Sequence, residues 1–428
     1  MSIGQIFPAL AFLVWLGVPI YAAIARGRLY AAFAAVVLSF ALPGALILHD
    51  RLREIASGGT QTLLDLIFAY SMAAAGIQLA HLVRAKLRGP AFRWLISAPG
   101  QTFIAGGMLA GPWLLLLLPF RLLFEALGAD TALGLWTGLE ALPLVVAVLS
   151  IATSITAKTE TVRFALAENG PEEFERLPLQ RIYGEAPPAI HPATPRPLRI
   201  VQLTDTHLGP WQSVERLRKI VEELAAREPD LVALTGDFLT MESMGTPGCL
   251  EDALRPLEPL AEKCVAIFGN HDHEAPEHVR DALKNLGIRL LIDEEACFET
   301  PAGQVQVVGS DFVGGGHAEH LDTLLTRFPR RADHLRLLLL HDPVGFHALP
   351  AENVDLVLSG HTHGGQVGLV SLGIDWTALT PTKWPDQGLF AKGRSRLYVH
   401  RGTGFYGFPL RVGVPAEHSV LEIQTGGV

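Results

Sequence analysis

Long uninterrupted apolar segments fill the first third of the chain. Five of them cover roughly residues 5–25, 29–48, 62–83, 102–120 and 131–157, and Glu140 restricts the apolar part of the fifth to residues 141–157. A helix needs about 20 apolar residues to cross a bilayer. The pattern therefore predicts a transmembrane domain of about five helices over residues 1–157. A buried bundle in a water-soluble protein is the alternative, and five such segments in succession argue against it.

Short apolar segments alternate with amphipathic ones from Leu198 onward. Predicted strands cover residues 198–204, 231–235, 265–268, 305–308, 335–340, 354–358, 397–400 and 419–423. Predicted helices cover residues 214–226, 277–286 and 320–327, and Ser213 is a suitable N-cap for the first of them. Alternation of strands and helices predicts an α/β domain over residues 197–428.

A segment of mixed composition, residues 158–196, separates the two patterns. Its early part is compatible with a helix. Its later part is not, because it contains Pro187, Pro188, Pro192 and Pro195, with Pro197 just beyond. We expect a juxtamembrane connector that ends in a semi-rigid spacer.

Charge is distributed unevenly between the two parts. The formal net charge is −9 for the whole chain, of which residues 1–157 contribute +3 and the remainder −12. An acidic C-terminal part argues against binding of nucleic acid on a broad basic surface. Cys249, Cys264 and Cys297 show no Cys-x-x-Cys spacing and are expected to be reduced thiols.

Basic residues in the short loops predict the orientation in the membrane. The odd-numbered loops and the segment after the fifth span carry Arg26, Arg28, Arg84, Lys86, Arg88, Arg93, Lys158 and Arg163. On the opposite side, Arg51 and Arg53 are balanced by acids, and Arg121 follows. The bias places the C-terminal domain in the cytoplasm and the N-terminus outside. The first apolar segment has no basic region before it, so we do not expect a cleaved signal peptide.

Metal-binding side chains follow most of the predicted strands. In chain order they are Asp205, His207, Asp237, Asn270, His341, His361 and His363. The carboxyl ends of strands are where α/β folds place their sites, and residues two apart in an extended segment face the same side. Carboxylate, imidazole and amide ligands without thiolate suit Mn, Fe or Zn. Seven ligands exceed what one ion needs, so a bridging carboxylate and two divalent ions are indicated, a site that activates water and clamps a phosphoryl group.

From Arg199 onward the chain resembles the calcineurin-like metallophosphoesterase superfamily. The ordered motifs are Asp205-Thr206-His207, Gly236-Asp237, Gly269-Asn270-His271-Asp272, His341 and Gly360-His361-Thr362-His363. Gly360–Gln366 and Arg401-Gly402 before Pro415 are similar to the membrane-associated branch, which includes transmembrane proteins with a metallophosphoesterase domain. The resemblance implies a multi-span helical membrane domain followed by an α/β sandwich of two mixed β-sheets flanked by helices.

The resemblance also implies roles for the site residues. Asp205, His207 and His363 would hold one metal, Asn270, His341 and His361 the other, and Asp237 would bridge them. His271 would act as the catalytic residue that protonates the leaving oxygen or stabilises the phosphoryl charge. Thr240 stands where many members have Asp. We expect this change to alter the properties of the metal site rather than to abolish activity.

The implied activity is metal-dependent hydrolysis of a phosphodiester or pyrophosphate bond. A site tethered to a lipid bilayer favours a lipid-linked substrate, such as UDP-diacylglucosamine, in a bacterial inner membrane. A general phosphodiesterase or phospholipid phosphoesterase is the first alternative, and a non-catalytic membrane scaffold is the second. The sequence leaves the metal identity and the oligomeric state open.

Other charged residues lie outside these motifs. Lys383, Arg394 and Arg401 are each expected to be solvated surface charges rather than anion-binding groups. Asp65 and Glu140 lie near the ends of spans and are expected at the membrane interface.

Overall fold

The computed structural model describes residues 3–157, 159–166, 169–183, 196–350 and 352–425. The chain divides into two compact units. The first comprises Met1–Ala152 and Gly407–Leu410, and the second comprises Thr153–Tyr406 and Arg411–Val428. Most of the predicted proline-rich spacer, residues 184–195, lies outside the described residues.

Apolar helices build the first unit. They are α1 (Ile6–Ala25), α2 (Arg28–Ile55), α3 (Gly58–His81), α4 (Pro90–Phe92), α5 (Ala98–Ala126), α6 (Asp130–Glu140) and α7 (Leu142–Ile155), with a π turn at Arg93–Ser97 joining α4 to α5. Among the described residues five helical stretches are long and apolar enough to cross a membrane: Ile6–Ala25, Arg28–Ile55, Gly58–Arg84, Pro90–Ala126 and Asp130–Ile155. The prediction of five long apolar helices is confirmed.

Close backbone contacts hold α2 against α5. A Cβ atom added at Gly44 would lie 2.5 Å from the carbonyl oxygen of Gly107, and one added at Gly107 would lie 2.4 Å from that of Ala41. Both distances are far below a normal contact. The two glycines therefore allow a separation that larger residues would prevent, the usual way in which transmembrane helices pack.

The acids Asp65 and Glu140 are buried and paired within this unit. Asp65 accepts a hydrogen bond from His49 at 2.8 Å and lies 2.8 Å from Nε of Arg53. Glu140 lies between Arg51 at 2.5 Å and Arg121 at 2.9 Å. Buried acids would be costly without such partners, so these pairs account for two charged side chains among apolar helices.

Two mixed β-sheets make up the core of the second unit. Their strands are β1 (Thr159–Ala165), β2 (Glu175–Leu177), β3 (Gln180–Tyr183), β4 (Leu198–Leu203), β5 (Leu231–Leu234), β6 (Cys264–Ala266), β7 (Arg289–Leu290), β8 (Glu294–Thr300), β9 (Gly303–Gly309), β10 (His334–Leu339), β11 (Leu356–Ser359), β12 (Gly388–Lys392), β13 (Ser395–Val399) and β14 (His418–Gln424). The strand orders are β3-β1-β14-β4-β5-β6-β7 and β2-β12-β13-β11-β10-β9-β8. The predicted fold, a helical region followed by a two-sheet α/β domain, is confirmed.

Buried aliphatic side chains from both sheets meet in one core. The first sheet contributes residues such as Ile200 and Val265, and the second contributes residues such as Val307 and Leu358, all without exposed surface. Strands buried on both faces need continuous apolar sequence, as β5 shows throughout and β11 shows over Leu356–Leu358. The core therefore fixes the strand ends whose following residues form the site.

Helices flank the two sheets. They are α8 (Val214–Ala225), α9 (Met241–Met244), α10 (Cys249–Leu254), α11 (Pro276–Asn285) and α12 (His317–Arg327). In α8 the buried residues Leu217, Ile220, Val221 and Leu224 follow the helical period, and the predicted N-cap Ser213 accepts a hydrogen bond from the backbone N–H of Arg216. Periodicity and capping thus placed this helix correctly.

The segment predicted as a connector contributes strands to both sheets. β1 pairs in parallel with β14 and antiparallel with β3, while β2 pairs with β12. The early part of residues 158–196 is compatible with a helix in sequence, but residues 159–165 form β1, which contains the β-branched Thr159, Thr161 and Val162. Glu160 is fully buried in β1, and its charge is paired with Arg401 at 2.5 Å and Arg181 at 3.0 Å. The α/β unit therefore begins before the predicted boundary at residue 197.

Candidate metal centre

Residues that follow the strands of both sheets converge at one place. Asp205 and His207 follow β4, Asp237 follows β5, His341 follows β10, and the two last histidines follow β11. Their ligand atoms form two groups, each within 4.8 Å: Asp205, His207 and His363 in one, and Asp237, His341 and His361 in the other. The structure thus brings together six of the seven predicted ligands in the grouping that the resemblance implies.

Strained backbone marks the same residues. Positive φ angles occur at Asp205 (51°), His207 (40°), Asp237 (58°), His361 (71°) and His363 (52°). This conformation is unfavourable for residues with a Cβ and persists where the surroundings impose it, commonly at functional sites. The fold therefore holds five candidate ligands in unfavourable conformations in order to aim their side chains inward.

Glycines let the ligand-bearing turns approach each other. A Cβ at Gly269 would lie 2.2 Å from Oδ1 of Asp237, and one at Gly360 would lie 2.2 Å from Oδ2 of Asp205. Gly236 has φ +93° and packs against the backbone of Gly269. These glycines, which precede ligands in the sequence, are required by the close approach of neighbouring turns.

The first group has the spacing of ligands around one ion. Oδ1 of Asp205 lies 3.3 Å from Nε2 of His363, which lies 3.1 Å from Nε2 of His207. Two ligand atoms that are each about 2.1 Å from one ion lie roughly 3 Å apart. The geometry of this group therefore fits a divalent cation.

Asp237 lies between the two groups. Its Oδ2 is 3.2 Å from Nε2 of His341 and 3.8 Å from Nε2 of His207. Its Oδ1 accepts a hydrogen bond from the backbone N–H of His271 at 2.9 Å. One carboxylate oxygen thus faces ligands of both groups, which is the arrangement a bridging carboxylate needs.

Unpaired buried atoms provide an independent test of whether these residues can hold metal ions. Nε2 of His341 and Oδ1 of Asn270 are buried and have no hydrogen-bond partner among the described residues. Nδ1 of His341 bonds the carbonyl of Thr235 at 2.7 Å, which leaves the Nε2 lone pair for a metal. A buried acceptor without a partner is costly, so both atoms suit a cation.

The local charges also favour cations. Burial lowers the pKa of His341, but the negative charge of the nearby Asp237 outweighs burial and raises it to about 10. Burial, followed by repulsion from His363, lowers the pKa of His207 to about 3, so this ring is neutral at physiological pH, the form in which imidazole can bind a metal. The buried carboxylates therefore generate a negative potential that a positive charge stabilises.

Asp272, the last residue of the Gly-Asn-His-Asp motif, orients Asp237, the predicted bridge. Its Oδ2 accepts from the backbone N–H groups of Asp237 (2.7 Å) and Gly269 (2.8 Å), and its Oδ1 accepts from that of Phe238 (2.9 Å). Burial and the nearby charge of Asp237 raise the pKa of Asp272 to about 7, against the lowering effect of these hydrogen bonds. Asp272 thus ties the turn after β5 to the turn after β6.

His271 lies at the edge of the centre and is partly exposed. Its Nδ1 lies 2.8 Å from Oε1 of Glu274, and its ring stacks on Tyr406 with centroids 4.2 Å apart. Burial lowers the pKa of His271, but the hydrogen bond to Glu274 and the charge of Asp237 produce a net increase. Because Nδ1 bonds Glu274, proton transfer to a substrate would use Nε2.

Thr240, which stands where the resemblance implies Asp, has a specific hydrogen-bond partner. Its hydroxyl donates to the carbonyl of Leu208 at 2.9 Å, and the residue is the N-cap of α9. A carboxylate could not donate this hydrogen bond. Thr240 therefore supports the turn that carries His207 through a contact that Asp would not make.

The Arg401-Gly402 element supports His363. Gly402 has φ +85°, and a Cβ there would lie 2.9 Å from Nδ1 of His363. Arg401 is fully buried, so the expectation of a solvated surface charge is wrong for this residue; its charge is paired with Glu160. Arg411 donates to the carbonyls of Arg401 (2.7 Å) and Gly404 (2.6 Å) and so fixes the turn beside His363.

Several residues of the site were missed in the sequence. They are Glu274, Tyr406 and Arg411, together with the aromatic residues Phe312 and Trp384, whose rings lie 6.0 and 5.7 Å from that of His361. Glu274 had a local signal, since it follows His271 by three residues. The others come from distant parts of the chain. The ligand and acid roles of the predicted residues remain predictions that their geometry supports.

These features define the class of protein. Residues 198–365 match the family of calcineurin-like phosphoesterases, so the chain contains a calcineurin-like metallophosphoesterase domain. The fold implies divalent metals, and the two ligand groups are candidates to hold them.

Several described proteins are similar to this chain over about half of its length. The phosphodiesterase YaeI of Escherichia coli (strain K12) is 29% identical over 232 residues, which cover 53% of this chain and 82% of that protein. The uncharacterized metallophosphoesterase YkuE of Bacillus subtilis (strain 168) is 28% identical over 235 residues, 53% of this chain and 79% of that one. The transmembrane protein with metallophosphoesterase domain of Bos taurus is 29% identical over 259 residues, 56% of each chain. The five apolar helices and this last name support a membrane protein.

Proposed function

We propose that this chain is a membrane-anchored two-metal phosphoesterase that hydrolyses a phosphodiester or pyrophosphate bond. The observation that carries the proposal is the position of Asp237, whose Oδ2 faces His341 at 3.2 Å and His207 at 3.8 Å. Two divalent ions held there would activate water and neutralise charge on a phosphoryl group. The complete set of ligand-type side chains argues against a non-catalytic scaffold.

The residues of the chain divide the remaining work. Asp272 holds the turn of Asp237 through three backbone N–H groups. His271, paired with Glu274, lies beside the centre and would donate a proton to the leaving oxygen through Nε2. Tyr406, stacked on His271, would restrict the orientation of that ring. The arrangement suits a substrate whose leaving group needs protonation.

The substrate we propose is lipid-linked, with UDP-diacylglucosamine as the first candidate. The support is the presence of five candidate membrane spans on the same chain as the site. A general phosphodiesterase is the second candidate, favoured by the name of the similar Escherichia coli protein. In both cases the ions are proposed to be Mn, Fe or Zn, in keeping with the oxygen and imidazole ligands.

A substrate panel tests this proposal. Purified full-length protein with added Mn²⁺ is expected to release UMP from UDP-diacylglucosamine faster than it hydrolyses a phospholipid or bis(p-nitrophenyl) phosphate. A His361→Ala variant, purified identically, measures contaminating activity, and metal analysis of both samples relates turnover to bound ions. Hydrolysis of bis(p-nitrophenyl) phosphate alone would favour the general phosphodiesterase. Full metal content without hydrolysis of any substrate would contradict the proposal.

We further propose that the catalytic domain lies in the cytoplasm of a bacterial cell. The support is the excess of Arg and Lys in the loops predicted on that side. A green fluorescent reporter fused after Val428 is expected to fluoresce, whereas alkaline phosphatase fused there should be inactive. The reverse result is expected for the same reporters at the N-terminus. An active phosphatase fusion after Val428 would contradict the charge argument.

A further inference from the structure

An exposed apolar loop follows the candidate ligands His361 and His363 in the sequence. This loop, residues 367–385, displays Leu369 (39% exposed), Leu372 (73%), Ile374 (51%), Trp376 (42%) and Trp384 (44%). Among the described residues of the α/β unit, only Tyr183 and Tyr406 are other large apolar side chains with comparable exposure. Scattered exposed apolar residues are normal, but five within 16 positions form a concentration that indicates an interaction surface.

Hydrogen bonds give the apolar loop a defined shape. The backbone N–H of Leu369 bonds the carbonyl of Trp376 at 2.8 Å, and that of Ile374 bonds the carbonyl of Leu369 at 3.3 Å, which closes a tight turn. Ser371 donates to the carbonyl of Gly413 at 2.8 Å. The exposed side chains are therefore presented by an ordered turn and not by an unstructured segment.

The base of the apolar loop is tied to the metal centre. The buried hydroxyl of Thr377 donates to Oδ2 of Asp386 at 2.6 Å, and the hydroxyl of Thr362 donates to the carbonyl of Asp386 at 2.6 Å. Thr362 separates His361 from His363 in the sequence, and the ring of Trp384 lies 5.7 Å from that of His361. Whatever the apolar loop contacts is thus held at a fixed distance from the candidate ligands.

We propose that the apolar loop docks into the surface of the lipid bilayer and holds the metal centre at the level of the lipid headgroups. Leucine, isoleucine and tryptophan are the residues that enter this zone, and tryptophan prefers it. The domain that carries this loop is joined to the candidate spans by a short segment, because the fifth candidate span ends at Ile155 and β1 begins at Thr159. Four residues extend at most about 14 Å.

This inference rests on the proposed function and narrows its substrate class. A centre held at the headgroups meets a phosphate that is covalently attached to acyl chains, while those chains remain in the bilayer. A soluble phosphodiester would gain nothing from the apolar loop. We therefore infer that the loop selects for acylated substrates by position, independently of the ligands that perform the hydrolysis.

Spin labels on the full-length protein in lipid nanodiscs test the docking without measuring activity. In a Cys297→Ser background, which removes the exposed thiol, a label at Leu372→Cys is compared with one at Asp322→Cys on the exposed side of α12. The Leu372 label is expected to be accessible to oxygen and shielded from a water-soluble nickel chelate, and the Asp322 label the reverse. A Leu372 label open to the chelate, or shielded from both reagents as under a second protein copy, would overturn the proposal.

Kinetics then test the selection for acylated substrates. Replacement of Leu372, Ile374 and Trp376 by serine is expected to raise KM for a long-chain nucleotide-diphosphate lipid in nanodiscs at least about tenfold, because much apolar surface no longer enters the bilayer. The rate with bis(p-nitrophenyl) phosphate should not change. Tyr183→Ser, at an exposed aromatic outside the loop, serves as the matched control. Equal losses for both substrates would overturn the selection. If no substrate is hydrolysed, the proposed function fails, and the spin labels still decide whether the loop docks.

Discussion

Asp237→Asn is expected to abolish hydrolysis and to reduce bound metal. The replacement has the same shape, and its Oδ1 can still accept from the backbone N–H of His271, which lies 2.9 Å away in the native protein. The change is confined to the oxygen that faces His341 and His207, where a carboxylate becomes an amide. Loss of even an indirect partner of a metal ligand costs about 10–100-fold in affinity or activity. Loss of a shared carboxylate should exceed that range.

Metal analysis by mass spectrometry, together with initial rates, measures this effect. Asp342→Asn is the matched control: it makes the same chemical change one residue after another ligand, and Asn can still accept from the backbone N–H of Val344. Its metal content should equal that of the native protein. Native activity in Asp237→Asn at full metal occupancy would contradict the bridging role, and equal losses in both variants would indicate a general effect of charge.

The ligands could be predicted because their identity is local. Each follows a strand, and several of these strands are continuous apolar segments, as residues 231–234 and 356–358 show. The backbone conformation of the turns that orient these ligands could not be predicted from local sequence. Positive φ at His207 or Asp237 follows from neighbouring turns that press on each other. In the sequence, only Gly236, Gly269 and Gly360 indicate that these turns pack closely against each other.

The strands β1–β3 could not be predicted because what stabilises them is distant. β1 contains Glu160, whose charge argues against burial, and its partner Arg401 lies 241 residues further along the chain. β1 pairs with β14 near the C-terminus, so no local pattern reveals the sheet. The same reason applies to Arg411, which looks like an ordinary surface arginine in sequence but is fully buried against backbone carbonyls. In both cases, contacts between residues far apart in the sequence stabilise the buried charge.

The edge strand β8 could not be predicted either, because polar and apolar residues are mixed along it. Its residues Glu294–Thr300 are largely exposed on one face, with Ala296 buried on the other. A short amphipathic segment of this kind resembles a loop unless its antiparallel partner is known. β8 pairs residue for residue with β9, which its own apolar sequence predicts. The predicted strands thus include none of the edge strands β2, β3, β7 and β8, and they also leave out the interior strands β1 and β12.

His271→Ala is expected to keep both metals and to lower turnover by about 10²–10⁴-fold, the usual contribution of general acid catalysis. The ring lies beside the centre, bonded to Glu274 and stacked on Tyr406, and its contact with the predicted bridge is made by its backbone N–H and not by its ring. Removal of the side chain therefore leaves the candidate ligands in place. The loss should be large for a poor leaving group and small for an aryl phosphodiester, whose leaving oxygen needs little protonation.

A series of substrates with different leaving groups, measured together with metal content, distinguishes the roles of His271. His273→Ala is the matched control, since that ring lies two residues further on and is 2.9 Å from Asp311 instead; its rates should stay close to native across the series. For His271→Ala, loss of metal would show a ligand role. A uniform loss across the series at full metal content would remove the general-acid assignment and leave stabilisation of the phosphoryl charge, because only proton transfer to the leaving oxygen makes the defect depend on the leaving group.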